Sequence, residues 1–184
     1  MNADTRQRIE AQLWERVIEI PDWPQPGVLF RDLTGLMADP VSFSAAVDLM
    51  AVEIGRGAVD AVVGIEARGF PYGAALAYHL GAGFVVLRKP GKLPGAVDAQ
   101  EYDLEYGTAS LELRNDILRP GRRVVIVDDV LATGGTAAAA VELVRRAGAI
   151  VESVAVILDL SHLGGSARLR ESGTVVRALL TLDR

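Results

Sequence analysis

The sequence predicts an α/β domain built on an open, mostly parallel β-sheet with helices on both faces. Three observations predict this class. Short apolar runs, typical of buried strands, alternate along the chain with helical patterns of small or amphipathic residues. Half of the 184 residues are hydrophobic, which suits a well-packed core rather than a disordered chain. The sequence contains no internal repeat or low-complexity linker, so we expect a single domain over residues 1–184.

The chain begins with two helical patterns separated by a loop. Apolar residues at a spacing of four predict an amphipathic helix over residues 3–20. Residues 21–35 are rich in Pro and Gly, which predicts a loop that holds a short strand. The second helix is predicted over residues 39–55, because Asp is its N-cap, Pro is its first residue and Gly ends it.

The remainder of the chain alternates strands with helices. Continuous apolar runs predict buried strands, strict alternation predicts one half-exposed strand, and small-residue stretches that end in Gly predict helices. The predicted strands are 58–66, 83–89, 109–116, 122–129, 150–160 and 174–182, and the predicted helices are 68–81, 135–148 and 164–172. Pro and Gly between residues 90 and 100 predict a mobile segment.

Composition and charge argue against several classes of function. The net charge of −5 argues against broad nucleic-acid binding, which needs a basic surface. No apolar stretch has the length of a membrane span, and the N-terminus lacks the apolar core of a signal peptide. The chain has no Cys, so disulfides and thiolate metal sites are excluded. We expect a cytoplasmic protein that binds neither nucleic acid nor membranes.

Two adjacent carboxylates, Asp128 and Asp129, lie at the predicted carboxyl end of a buried strand. Because like charges repel, the pair needs a functional reason. Ligands of open parallel sheets bind outside the carboxyl ends of the strands. Gly134 and Gly135 then lead into a helix, whose free N–H groups and positive dipole end favour a phosphate. The carboxylates suit a neighbouring group rich in donors, such as ribose hydroxyls.

The segment that contains this pair resembles a known motif, whereas other phosphate motifs are absent. Gly135 is followed by Thr136 instead of the Lys that a Walker A loop requires, and no dinucleotide glycine fingerprint opens a helix. Residues 124–136, an apolar strand with Asp-Asp, two residues and Ala-Thr-Gly-Gly-Thr, resemble the 5-phosphoribosyl 1-diphosphate (PRPP) motif of type I phosphoribosyltransferases. The resemblance implies a Rossmann-like fold, with a base-binding hood over about 1–35 and a flexible catalytic loop over about 90–107.

Further segments resemble adenine phosphoribosyltransferases, in the family's order, over about residues 20–165. They are the base-binding segment 24–32, the pyrophosphate loop 64–70, and the loop flanks 87–95 and 101–107. The resemblance implies a pentosyltransferase of purine salvage that forms AMP and diphosphate from adenine and PRPP, with inversion at C1 through an oxocarbenium-like transition state. It also implies Mg²⁺ held mainly by substrate and water, with no metal ligands from the protein, and a homodimer.

The resemblance assigns roles to individual residues. Those expected at the base are Leu29, Phe30, Arg31 and Val130. Those expected at the 5′-phosphate are Ala132, Thr133, Gly134, Gly135 and Thr136. Those expected at the pyrophosphate are Glu66, Ala67, Arg68, Arg88, Lys89 and Lys92, with a cis peptide between Glu66 and Ala67. The expected catalytic residues are Glu105, Tyr106, Asp128 and Asp129, with Glu105 handling a proton at N7 or N9 of adenine.

Basic residues are distributed in a way that independently favours an anion near residue 90. Lys89 and Lys92 are the two lysines of the chain, and every other basic residue apart from His is Arg. A compact ammonium group in this one place suits an anionic ligand.

Two other functions remain open at this stage. The base could be hypoxanthine, guanine or xanthine, which a buried site for one particular base edge would distinguish from adenine. A PRPP-sensing regulator without catalytic activity is the second alternative. Such a regulator carries an added DNA-binding domain, whereas this chain is acidic and has only a short helix before the site. The last twenty residues match the family less well, and we expect no site residue there.

Overall fold

The structure is a computed structural model that describes residues 2–103 and 107–183. Glu105 and Tyr106, two of the expected catalytic residues, therefore lie outside the described residues. The chain divides into two compact units, one ending at Leu49 and the other beginning at Met50. The single-domain organisation stays a prediction.

The first unit contains helices and a two-stranded antiparallel ribbon. Its elements are α1 (Ala3–Trp14), β1 (Ile18–Pro21), β2 (Leu29–Asp32), α2 (Thr34–Ala38) and the start of α3 (Pro40–Ile54). The side chain of Asn2 caps α1 by accepting a 2.8 Å hydrogen bond from the N–H of Thr5. In the ribbon, Glu19 lies opposite Arg31 and Ile20 opposite Phe30.

The predicted first helix is too long. It ends at Trp14, and residues 18–20, which we had placed in the helix, form β1 instead. Val17, Ile18 and Ile20 are β-branched and favour extended backbone. Pairing with β2 then satisfies backbone groups that a helix would otherwise have satisfied.

The second unit contains the remaining elements. They are β3 (Ala61–Ile65), α4 (Gly69–Leu80), β4 (Gly83–Leu87), β5 (Val97–Asp103), β6 (Thr108–Arg114), β7 (Arg123–Leu131), α5 (Gly135–Arg146), β8 (Ile150–Asp159), a 3₁₀ turn (Ser161–Leu163), α6 (Gly165–Glu171) and β9 (Val176–Thr181). No helix in the described ranges is long and apolar enough to span a membrane.

The main sheet confirms the predicted fold class. Five strands in the order β4-β3-β7-β8-β9 are all parallel. From β3 the chain crosses through α4 to β4 on one side, and from β7 it crosses through α5 to β8 on the other side. Because such crossovers are right-handed, the two helices lie on opposite faces of the sheet. The strand order therefore reverses between β3 and β7.

One hydrophobic cluster of this unit lies between the sheet and α5, and α4 packs on β3 and β7. Alternate residues of the central strands, such as Val63 and Ile126, are fully buried in one cluster with Ala140 of α5 and Leu113 of β6. The small side chains of α5 allow close packing on the sheet and on the β5–β6 ribbon. This packing holds the start of α5 at the carboxyl end of β7.

The segment expected to be mobile is partly regular. Residues 97–100, which we had assigned to it, begin strand β5, and β5 pairs antiparallel with β6 so that Gln100 lies opposite Leu111. Pro and Gly end at residue 95, and the alternation of apolar and polar residues after them suits a strand. Packing of α5 against this ribbon is a tertiary contact that local composition does not reveal.

Candidate active site

The site expected from the sequence lies where the strand order of the main sheet reverses. Connections leave β3 and β7 in opposite directions, which opens a crevice between their carboxyl ends. Glu66, Ala67 and Arg68 follow β3, and Asp128 and Asp129 belong to the last part of β7. Two segments that are about 60 residues apart in the sequence are thus brought to the same corner of the second unit.

The expected phosphate loop connects β7 to α5. β7 ends at Leu131 and α5 begins at Gly135, so residues 132–134 form a tight turn. Gly134 has φ of +81°, a left-handed conformation in which a Cβ atom is strained. The first N–H groups of α5 have no partner within the helix and lie beside this turn. The turn therefore presents donors and a positive dipole end, as a phosphate requires.

A second turn, which sequence reasoning missed, supports the phosphate loop. Gly165 donates its N–H to the carbonyl of Ala132 at 3.0 Å. A Cβ atom on Gly165 would lie 2.2 Å from that carbonyl oxygen and 2.8 Å from the nitrogen of Gly134. Only glycine fits such an approach, and the tandem Gly164–Gly165 in the sequence was an available signal. Gly165 thus supports the loop from the start of the last twenty residues, where we expected no site residue, and that expectation stays a prediction.

The acid pair occupies two different environments. The side chain of Asp129 is 4% exposed and forms an ion pair with Nε of Arg68. Asp128 retains some exposure, and its Oδ1 accepts a 2.9 Å hydrogen bond from the N–H of Asp129. Asp129 is therefore held by a cation, and Asp128 is the member of the pair with access to solvent.

Asp128 is electrostatically unfavourable in its charged form. Although part of the residue reaches solvent, the protein around its carboxyl group removes hydration and raises the pKa of Asp128 well above its usual value. The charge of Asp129 raises this pKa further, while the N–H of Asp129 and the charge of Arg68 act in the opposite direction. Burial also raises the pKa of Tyr72, a fully buried residue of α4, and Asp129 adds to this effect. Repulsion between neighbouring carboxylates such as Asp128 and Asp129 is typical of a site that binds hydrogen-bond donors or positive charge.

The residues expected at the pyrophosphate gather around Glu66. Its carboxylate accepts hydrogen bonds from Nζ of Lys92 at 2.5 Å, the N–H of Lys89 at 2.8 Å and Nη2 of Arg88 at 3.4 Å. The cis peptide expected between Glu66 and Ala67 is confirmed. The structure thus brings Arg88, Lys89 and Lys92 together, whereas Arg68 pairs with Asp129. It adds a contact that we did not foresee, because the side chains of Arg88 and Lys92 already hold a carboxylate.

The side chain of Lys89 has a different position from that of Lys92. Lys89 and Pro90 line one side of an open cleft of about 380 Å³. The other side comes from the β5–β6 ribbon, through Glu101, Thr108, Ala109 and Ser110. Lys89 therefore faces the base of the expected catalytic loop.

The residues expected at the base belong to two units, and each is described within its own. In the first unit, the ring of Phe30 contacts that of Trp23 edge to face, with centroids 4.3 Å apart. Leu29 is 47% exposed, and the guanidinium of Arg31 forms a 3.1 Å ion pair with Glu19. In the second unit, Val130 is half-buried within β7.

Comparison with known proteins agrees with this geometry. The sequence model of the phosphoribosyl transferase domain matches residues 42–179. The adenine phosphoribosyltransferase of Streptomyces clavuligerus is 52% identical over 170 residues, which are 92% of this chain and 96% of the relative. The chain belongs to the adenine phosphoribosyltransferase family. Members of this family use PRPP as co-substrate.

Solved structures of the family have the same fold. The adenine phosphoribosyltransferase of Thermoanaerobacter pseudethanolicus is 43% identical, with a TM-score of 0.88 over 94% of this chain and 99% of that one. The enzyme of Saccharomyces cerevisiae, solved with adenine and an iminoalditol bisphosphate, is 35% identical, with a TM-score of 0.88 over 95% and 99% of the two chains. The fold and family inferred from residues 124–136 are thereby confirmed.

Proposed function

We propose that this chain transfers the phosphoribosyl group of PRPP to N9 of adenine and releases diphosphate, as an enzyme of purine salvage. Relatives that are up to 54% identical to this chain are adenine phosphoribosyltransferases, and the structure of the yeast relative was solved with adenine bound. The observation that carries the proposal is one corner of the second unit, where the acid pair, the glycine turn at the start of α5 and the basic segments after β3 and β4 come together.

The sugar phosphate is assigned to the acid pair and the adjoining turn. Asp128 and Asp129 accept hydrogen bonds from the ribose hydroxyls, and residues 132–136 hold the 5′-phosphate with main-chain N–H groups and the hydroxyls of two threonines. The protein groups around Asp128 disfavour its charged form, so hydroxyl donors at this position would stabilise that form. The turn and the pair are fixed by one strand and one helix, which suits precise positioning.

The chemistry that follows depends on positioning and charge. The bond between C1 of the ribose and diphosphate breaks early, leaving an oxocarbenium-like centre that N9 of adenine attacks from the opposite face. Neighbouring carboxylates stabilise positive charge as it develops, and preorganised charges act strongly where water is excluded. Asp128 and Asp129 provide this stabilisation, and no covalent enzyme intermediate is required.

The leaving diphosphate is assigned to the segments after β3 and β4. Arg68, Arg88, Lys89 and Lys92 provide its positive charges, and a guanidinium can hold two oxygens at once. Arg68 already pairs with Asp129, so it links the diphosphate region to the ribose region. The segment after β3 lies beside the segment after β4, because the carboxylate of Glu66 accepts a hydrogen bond from the N–H of Lys89; Ala67 belongs to the same turn as Glu66.

The family resemblance assigns the recognition of adenine to residues 29–31, and it separately gives Val130 a role at the base. Leu29 and Arg31 are two residues apart in β2, so their main-chain groups point to the same edge of the strand, where they can recognise donors and acceptors of the base. Phe30 stacks on the ring. Glu105 handles the proton at N7 or N9, and Tyr106 contacts the reacting groups; both assignments rest on the family resemblance.

Mg²⁺ is proposed as the cofactor. The described ranges contain no group of three or more acidic or histidine residues that could hold a metal ion by themselves. Diphosphate and ribose oxygens offer the hard oxygen ligands that Mg²⁺ prefers, together with water. Such an ion would supply positive charge that offsets the charge of the diphosphate.

We also propose a cytoplasmic homodimer. In the first unit, Trp23 is 49% exposed and Leu29 is 47% exposed, and exposed apolar side chains of this kind suit an interface. Sedimentation of the purified chain tests the dimer, and a single monomeric species at micromolar concentration would contradict it.

A substrate panel tests the activity. The purified chain is incubated with PRPP, Mg²⁺ and one of adenine, hypoxanthine, guanine or xanthine, and nucleotide is measured by chromatography. We expect AMP from adenine and little product from the other bases. The double variant Asp128→Asn/Asp129→Asn should lose most turnover, because it keeps the shape of the site but removes its charge. Preferred use of another base would contradict the adenine assignment, and tight PRPP binding without turnover of any purine would favour a sensor.

A further inference from the structure

Glu66 lies at the centre of the basic residues assigned to diphosphate. Its side chain is 7% exposed, whereas that of Lys92 is 46% exposed and that of Arg88 is 33% exposed. The carboxylate accepts from both of these cations and from the N–H of Lys89. The exposed ammonium of Lys92 and the half-buried guanidinium of Arg88 thus share one acceptor, whose side chain is mostly buried.

We propose that Glu66 is a resident counter-anion of the diphosphate subsite, an inference that rests on the proposed function. Its carboxylate holds Arg88 and Lys92 in position before diphosphate binds. It then competes with the diphosphate oxygens for the same donors and repels them. Glu66 is therefore a positioning residue that weakens diphosphate binding and favours its release, and it does not contact the reacting atoms.

The donor count of the cluster allows diphosphate to bind beside Glu66. An ammonium group has three donors and a guanidinium has five. In the described structure, Lys92 donates one to Glu66, and Arg88 donates one to Glu66 and one to the carbonyl of Lys92 at 3.3 Å. The Nε–H of Arg88 is buried, but the other N–H groups of the guanidinium and two N–H groups of the Lys92 ammonium remain for phosphoryl oxygens, so binding need not break every contact with Glu66.

Glu66 remains charged over the working pH range. Burial acts to raise the pKa of Glu66, but hydrogen bonds from Lys92, the N–H of Lys89 and Arg88 outweigh it and lower the pKa to about 2. A charge in a partly buried site acts more strongly on its neighbours than one in water. Repulsion between Glu66 and diphosphate is therefore substantial even though the cluster as a whole is cationic.

A second carboxylate, that of Glu112 in β6, contacts the segment after β4 and provides a matched control. Oε2 of Glu112 accepts a 3.1 Å hydrogen bond from the N–H of Gly91. Glu112 also pairs with Arg88 through the main chain of both residues. Among the described contacts, its carboxylate touches neither the Arg88 guanidinium nor the Lys92 ammonium, so Glu112→Gln removes a nearby charge while leaving the pairs with Glu66 intact.

The test compares the affinities of wild type, Glu66→Gln and Glu112→Gln for inorganic pyrophosphate and for AMP by titration calorimetry. Glu66→Gln should bind pyrophosphate about tenfold more tightly, equivalent to about 1.4 kcal/mol. Its affinity for AMP, which lacks the diphosphate, should stay within about twofold of wild type. Glu112→Gln should match wild type for both ligands. In the forward reaction, Glu66→Gln should lower both the KM for PRPP and kcat, because the product leaves more slowly.

A purely structural role for Glu66 predicts the opposite result. If Glu66→Gln binds pyrophosphate no more tightly than wild type while AMP binding is retained, or if Glu112→Gln tightens binding equally, the counter-anion proposal is wrong. If Glu66→Gln does not fold, Glu66→Asp serves instead, because its side chain carries the same charge but is one methylene shorter. The charge is then farther from the cations and the diphosphate, so this variant must also bind pyrophosphate more tightly than wild type. Wild type that forms no AMP from adenine and PRPP refutes the proposed function, whereas active wild type with unchanged variants refutes only the role of Glu66.

Discussion

Replacing Gly165 with Ala should move the phosphate loop without introducing strain at residue 165 itself. Gly165 is the first residue of α6 and does not have a positive φ, so an Ala there keeps an allowed backbone conformation. The added Cβ would lie 2.2 Å from the carbonyl oxygen of Ala132, 2.8 Å from the nitrogen of Gly134 and 3.0 Å from the carbonyl carbon of Thr133. All three neighbours are backbone atoms of the loop, so no side chain can rotate away.

The expected magnitude follows from this geometry. An ordinary carbon contact needs roughly 3.5 Å, so the loop must move by about 1 Å. Overpacking of this kind destabilises proteins by about 1–3 kcal/mol. A displacement of about 1 Å in groups that position a substrate can cost about 100-fold in rate. We therefore expect kcat/KM for PRPP to fall about 100-fold while the chain still folds.

Steady-state assays at a temperature well below the melting transition separate the two effects. The control is Gly83→Ala, since a Cβ there would make ordinary contacts of 3.7 Å with the carbonyl oxygen of Asp60 and 3.9 Å with Cβ of Ala61. This control should retain both activity and stability. If Gly165→Ala keeps wild-type kcat/KM and KM for PRPP, then the turn at Gly165 does not position the phosphate loop and our reasoning is refuted.

Three further predictions concern charge and packing. Burial and the charge of Asp129 raise the pKa of Asp128, so the free energy of unfolding falls as pH rises above about 4, the pKa of Asp in the unfolded chain. The variant Asp128→Asn should not show this fall, and at pH 8 it should be more stable than wild type by about 1 kcal/mol in a thermal melt. The same variant should lose most turnover. Hydrogen-bond donors lower the pKa of Glu66 to about 2, so the stability that its charge contributes is complete above pH 4.5 and falls as pH falls through 2. Thermal melts of wild type and Glu66→Gln should differ at neutral pH, and the difference should shrink steadily as pH is lowered from 4.5 to 2; a difference that stays constant over this range would contradict the prediction. Arg146 donates to the carbonyl of Ala99 at 3.2 Å and joins α5 to β5; Arg146→Gln should speed amide hydrogen exchange in β5 while leaving AMP affinity unchanged, and unchanged exchange would contradict this role.

The fold class could be predicted because its signals are local. Apolar runs such as Val124–Val127 are long enough to indicate buried strands, and the alternation of strands and helices then requires a parallel sheet. The turn between β7 and α5 was equally visible, since two glycines and two threonines mark the start of a helix; its role at a phosphate stays a prediction. Its position at the point where the strand order reverses became evident only in the structure.

Features that depend on tertiary contacts could not be predicted. Residues 18–20 continue a helical pattern, yet pairing with β2 makes them a strand. The tandem Gly164–Gly165 is visible in the sequence, but it lies far from the loop along the chain, and only the structure shows that Gly165 approaches Ala132. Likewise, the charge of Glu66 was visible, but its position among the cations depends on the fold of residues 88–92.

A crystal structure of the protein with AMP is the most direct test of the central claim. We predict both ribose hydroxyls within hydrogen-bond distance of Asp128 or Asp129, and the phosphate against the N–H groups of residues 132–136. A nucleotide whose phosphate lies away from the start of α5, with no ribose contact to either carboxylate, would contradict the account.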